Sequence, residues 1–425
     1  MSDYRQMWAD LGLDLEKHDL LLGALPAIYE NIYLSQENRP EGMGYFDFVI
    51  SEIHGLRVKE LMDHKAKGGK VIGTYCVFVP EDVVLAAGGV PVGLCAGAQF
   101  SIPDAEGVLP NNTCALIKSS FGFKVGRTCP YVQASDLVVG ETTCDGKKKM
   151  YELLAEHHPT YVMEVPQKKT ASARALFFDE ILHFRDRVEA ETGVRITPDS
   201  LTAATSLVDS KKTALQRFNA ARKVASLPIS GLDALLVNQV SFYDDVVRFT
   251  DKVNALSDEL ESRIKHGQSV FSDGAPRLLV AGSPMAIPNW KVHRVLEDSG
   301  AAVVAEESCI GFRYYNYLTG ESDGTMEGQL RAIADRLLEN HCACFTPNEE
   351  RVQDILNLAN EYSVDGVVQY SLSFCQPYAN EAVKVGRALT AAKIPVLNIE
   401  TDYNDGDMGQ MKARVDAFLE MIKDR

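Results

Sequence analysis

Short apolar runs alternate with amphipathic stretches along most of this chain. KVIGTYC (70–76), PVGLC (91–95), DLVVGETTC (136–144) and YVMEVP (161–166) carry the Val and Ile bias of strands buried on both faces. RLLVAGSP (277–284), AAVVAEESC (301–309), DGVVQYSLSFC (365–375) and PVLNIETD (395–402) repeat that pattern further along. Helical spacing separates the runs, so the pattern predicts two α/β halves, each built on an open parallel sheet. A duplication of such long period reads as two related domains rather than a solenoid.

Helix starts are predicted directly after strand ends. Pro80 suits the first turn of VPEDVVLAAGG, which Gly88–Gly89 would stop. Asp145 is placed to cap KKKMYELLAEHH, and Thr346 and Glu349 to form a capping box around Pro347. Between the halves, RALFFDEILHFRDRVEAETG sets Phe177, Ile181, Phe184 and Val188 on one helical face, a packing stripe. Thr197–Pro198 opens another helix, and a long one is expected from Ser230 to Gly267. FSDGAP (271–276) reads as a linker. The expected organisation is a helical extension (1–60), a first α/β domain (61–172), a helical segment (173–272) and a second α/β domain (273–425).

Composition narrows the partners. With 425 residues, 46% of them hydrophobic and 24% charged, the chain can bury two or three cores. A formal net charge of −16 argues against a nucleic-acid groove or an anionic membrane surface. No apolar run approaches the ~20 residues of a membrane helix, and MSDYRQMWADLGLDLEKHD is too acidic for a secretory signal. The expectation is a cytoplasmic protein.

Nine cysteines then carry the chemistry. An odd number in a large cytosolic chain does not suit a disulfide framework. Free cysteines are ordinarily small buried hydrophobes, but here Cys76, Cys95, Cys144, Cys309 and Cys375 all end strand runs. Open parallel sheets bind ligands beyond those ends, where helix N-termini favour anions and lower thiol pKa values. Cys114 and Cys129 lie in NNTCALIKSSFGFKVGRTCPY, and Cys342 and Cys344 form a C-x-C. The chain has no pair of C-x-x-C knuckles, which weakens zinc and dithiol readings. Several thiolates with almost no histidine nearby favour iron–sulfur chemistry. Neither a P-loop nor a G-x-G-x-x-G fingerprint follows a strand, so another protein must bind any ATP or NADH. Lys147–Lys149 read as a solvated first turn and Glu141 as a structural carboxylate, so catalytic residues stay unassigned.

GTYCVFVPEDVVLAAGGVPVGLC, NNTCALIKSSFGF, SDLVVGETTCDGKKKMYELL, VDGVVQYSLSFCQPY and IPVLNIETDY with GQMKARVDAFLEMI resemble the 2-hydroxyacyl-CoA dehydratase and benzoyl-CoA reductase superfamily. The resemblance implies two flavodoxin-like (Rossmann-like) domains with an iron–sulfur cluster in the cleft between them. It also implies a separate homodimeric, cluster-containing ATPase that injects single electrons. Dehydratase subunits hold one cubane through three cysteines, roles the motifs carry to Cys76, Cys114 and Cys375.

CPY at Cys129, ESCIGFRYY at Cys309 and the C-x-C are additional to that pattern. They make the chain similar to the double-cubane cluster proteins, in which two sulfide-linked cubanes (8Fe-9S) need six thiolates. The resemblance then implies Cys129, Cys309 and Cys344 as the further ligands. Cys144 is the first reserve, Cys342 replaces Cys344 if alternation along a strand turns the latter away, and Cys95 is a core residue. The implied function is a reductase component, a homodimer joined by its central helices, that passes low-potential electrons to a small-molecule substrate. The alternatives are a single-cubane subunit of a 2-hydroxyacyl-CoA dehydratase and an electron-storage protein without turnover.

Overall fold

A computed structural model of the chain describes residues 4–424. Every predicted run becomes a strand. β1 (Val71–Thr74), β2 (Val90–Gly93), β3 (Leu137–Glu141) and β4 (Thr160–Met163) form one parallel sheet in the order β2-β1-β3-β4. β5 (Arg277–Gly282), β6 (Ala302–Glu307), β7 (Gly366–Leu372) and β8 (Val396–Thr401) form a second in the equivalent order β6-β5-β7-β8. Both orders are flavodoxin-like: all strands run parallel, but the order in which they are added reverses between β1 and β3 and again between β5 and β7, opening a crevice at each carboxyl edge.

The stripe on helix Ala171–Thr192 behaves as its spacing predicts. Phe177, Ile181, Phe184 and Val188 are fully buried and pack with Ile72, Leu137 and Val139 of the first sheet. The same cluster includes Leu330, Ile333 and Leu337 of helix Met326–Leu338, which connects β6 to β7. A crossover helix of the second half therefore covers the first, and the halves interlock. They also touch backbone to backbone, since a Cβ on Gly97 would overlap the carbonyl of Ala286. A buried ion pair from Arg222 to Glu306 (2.7 Å), joined by His293 (3.2 Å), ties the turn after helix Pro198–Ala220 to β6.

Three local expectations need correction. The helix expected from 230 to 267 is two, Gly231–Val240 and Val246–Lys265. In the break, Phe242 accepts a hydrogen bond from the Gly93 N–H at 2.6 Å, and Asp245 caps the second helix through the amides of Val247 and Arg248. Asp145 is not a cap. Cys144 is, its sulfur accepting from the Lys147 N–H at 3.4 Å. Thr346 and Glu349 form no capping box; helix Glu349–Glu361 starts after Asn348, whose amide instead bonds to the Cys342 carbonyl (3.0 Å) and Glu381 (2.8 Å). Helices fill much of the first 66 residues, from Arg5–Asp10 through Leu56–Ala66. Among the described residues no helix is long and apolar enough to cross a membrane.

Candidate functional site

The carboxyl ends of both sheets meet in a largely apolar cavity of about 190 Å³. Seven thiols line it: Cys76, Cys114, Cys144, Cys309, Cys342, Cys344 and Cys375. Each comes from a loop that runs from a strand or helix end toward a helix start. Cys76 follows β1, and Cys144 follows β3 as the N-cap of Asp145–Leu154. Cys309 follows β6, and Cys375 follows β7 as the N-cap of Gln376–Ala391. Cys114 caps Ala115–Val125. Cys342 and Cys344 lie in the turn before Glu349–Glu361, held by Asn348. Both thiols face the cavity, and alternation could not have separated them: residues two apart share a face even in a strand, and this segment is a turn.

The thiols fall into two groups by the charge neighbours of each. Cys76, Cys309 and Cys344 act on one another, while Cys114, Cys144 and Cys375 form the second set. Cys342 is felt by members of both. Each group draws on both halves of the molecule.

Cys129, expected among the ligands, is not brought to this cavity. It is the N-cap of the short helix Pro130–Ala134, fully buried, and hydrogen-bonds to Cys95 instead. That bond, reinforced by burial, pushes the Cys95 thiol well up. Tyr243 also hydrogen-bonds to Cys95, and its ring packs edge-on against Tyr131 with centroids 5.3 Å apart.

The spacing of the donors decides what kind of group they could hold. Among the described residues no three Cys, His, Asp or Glu side chains converge tightly enough for one ion. A tetrahedral zinc site, with bonds of about 2.3 Å, needs its sulfurs within about 4 Å of each other. The spread of thiols around the cavity wall fits a larger, polynuclear group. Burial pushes Cys76 and Cys375 up to about 12 and raises Cys114, Cys144 and Cys309. Such thiols stay protonated in an apolar wall until a cationic centre displaces their protons. The hydrogen bond between Cys342 and Cys344 holds the first down and the second up. Backbone N–H groups of Phe78, Ile117, Lys147 and Tyr378 are aimed at Cys76, Cys114, Cys144 and Cys375, as thiolate ligands need.

Two cations stand among the thiols. Arg313, ion-paired with Glu307, acts on Cys309 and Cys342. Lys147 lines the cavity and pairs with the fully buried Glu141. It corrects the reading of residues 147–149 as a solvated run, which holds only for the more exposed Lys148 and Lys149. The signal was its position three residues after Cys144, on the same helical side. Glu81, bonded to Lys211 and to the Tyr314 hydroxyl (2.6 Å), also lines the wall, and nothing in the sequence marked it.

Residues 76–422 match the 2-hydroxyglutaryl-CoA dehydratase D-component family. The chain belongs to that family. Among its relatives, the Escherichia coli (strain K12) protein YjiM, which bears a dehydratase-subunit name, is 38% identical over 88% of the chain and 97% of its own length. The (R)-phenyllactyl-CoA dehydratase beta subunit of Clostridium sporogenes is 25% identical over 86% of the chain and 95% of its length. A benzoyl-CoA reductase subunit of Thauera aromatica is 20% identical over 83% and 91%. Family members are thus dehydratase or reductase subunits, and the match begins at Cys76, the first thiol of the cavity.

Proposed function

We propose that this protein is the iron–sulfur component of an ATP-coupled reductase, holding a double-cubane (8Fe-9S) cluster. Cys76, Cys309 and Cys344 would carry one cubane and Cys114, Cys144 and Cys375 the other. The observation behind this reading is the arrangement of thiols in two groups around a single cavity, with Cys144 taking the part expected of Cys129. Such a cluster supplies low-potential electrons and an iron at which a small unsaturated molecule can be reduced.

The chain's own residues do the rest. Capping amides hold negative charge on sulfur, and the apolar wall keeps water from a strongly reducing centre. Electrons would come from a separate cluster-bearing ATPase, because the sequence holds no P-loop of its own. The working unit would be a cytoplasmic homodimer.

Iron and acid-labile sulfide per chain, measured after anaerobic purification, test the reading. About eight irons are expected, falling by about half in Cys309→Ser. A second reading, a single-cubane subunit of a 2-hydroxyacyl-CoA dehydratase, draws support from the names of the relatives. It predicts about four irons, no loss in Cys309→Ser, and co-purification with a second subunit of similar fold.

A further inference from the structure

Three cationic side chains line the cavity: Arg57, Lys147 and Lys211. Arg57 is taken up by Glu60 and the Tyr243 carbonyl, and Lys211 by Glu81. Lys147 is placed differently. Its backbone N–H donates to the Cys144 sulfur, its side chain is only 13% exposed, and its ammonium pairs with Glu141. Glu141 is itself fully buried and accepts from the hydroxyls of Tyr151 (3.1 Å) and Thr143 (3.0 Å). The ammonium is therefore held in the cavity wall by a buried carboxylate, whereas Lys148 and Lys149 pair with the exposed Asp145 and Glu152 at the surface. The charge of Lys147 acts on Cys76 and Cys309 in one thiol group and on Cys114 in the other.

Adding an electron to a thiolate-bound cluster adds negative charge inside an apolar wall. A fixed cation a few ångströms away lowers the free energy of that reduced form, and the low local dielectric amplifies the effect. A cation held by a buried carboxylate gives a net field set by both partners, so each partner can be varied separately.

We propose that the Lys147 ammonium, anchored by Glu141 between the two thiol groups, stabilises the reduced form of the cluster and sets the potential at which this protein accepts electrons. The inference rests on the iron–sulfur reading above. One electron enters from a one-electron donor of low potential; no bond is made or broken and no proton is transferred. Lys147 acts through the cluster's charge, as a positioning residue.

The test is an EPR-monitored redox titration, with dithionite or Ti(III) as donor, of the anaerobically purified full chain and three variants. Lys147→Met should shift the midpoint to more negative values, lowering the reduced-to-oxidised ratio at a fixed potential at least tenfold, or about 59 mV for a one-electron couple. Lys147→Arg, which keeps the charge, should stay within threefold of the unaltered protein. Glu141→Gln leaves the cation uncompensated and should shift the midpoint the opposite way. A salt bridge with only a structural role would leave the midpoints together or move both neutralising variants in one direction, and either result overturns the proposal. Iron content is read on the same samples. No cluster in the unaltered protein removes the iron–sulfur reading itself. Loss of iron in Lys147→Met leaves the decision to the sign of the Glu141→Gln shift.

Discussion

Cys129 and Cys144 are both helix N-caps and both follow short connections, yet their thiols meet different neighbours. Cys129 bonds to Cys95 in a pocket of its own, whereas Cys144 faces the cavity. Cys129→Ser should therefore retain the full complement of iron, and Cys144→Ser should lose about half of it, as iron analysis of the two purified variants would read directly. Cys76, Cys144, Cys309 and Cys375 were legible because open parallel sheets bind ligands at their carboxyl edge, whereas Cys95, also at a strand end, turns to Cys129. Cys129 was not, because nothing in CPY says which way a one-turn helix presents its cap. Lys147 escaped for the converse reason: a run of three lysines looks solvated until Glu141 is known to lie buried beneath the first of them. A second residue-scale consequence concerns acid. Burial alone would raise the Glu306 carboxyl, but the charge and hydrogen bonds of Arg222, with His293, overcome it and leave it at about 2. A depressed carboxyl stabilises the fold above its unfolded value, near 4.3, and that contribution is lost as pH falls from there toward 2. Urea unfolding over that pH range should show a declining limb that Glu306→Gln flattens, with the variant weaker by about 3–5 kcal/mol at neutral pH.

Among the elements, the strands and the helix Ala171–Thr192 were readable because each repeats one period without interruption. Phe184 is the test of that helix. Its ring is fully buried against the first sheet's cluster, so Phe184→Ala should cost about 3–5 kcal/mol in equilibrium denaturation. The break at 241–245 was not readable. Neither Pro nor Gly interrupts VSFYDDVV, although the apolar stripe of Phe249, Val253, Leu256 and Leu260 is out of register with Leu236 and Val240. What stops the helix is tertiary: the end of β2 takes the Phe242 carbonyl, and Asp245 restarts the chain in a new direction. The interruption brings Phe242, Tyr243 and Asp244 into the cavity wall.

For the whole molecule, the halves are held together by the crossover helix Met326–Leu338 and by the close approach at Gly97. Gly97→Ala should wedge the halves apart at that point. The expected outcome is an unchanged far-UV circular dichroism spectrum with iron retention reduced severalfold, because each sheet stays intact while the two banks of thiols separate. A cluster spanning both banks would also stabilise the folded chain by mass action, so the iron-loaded protein should melt above its chelator-stripped form. The two thiol groups, each drawn from both banks, are not electrostatic equals. Arg313, paired with Glu307, acts strongly on Cys309 and Cys342, whereas it is not among the largest influences on Cys114, Cys144 or Cys375. If the thiols hold the paired cubanes proposed above, unequal fields would keep the two from sharing an added electron evenly: valence would localise on the cubane nearer the guanidinium, and a bound substrate would meet one reducing face rather than two.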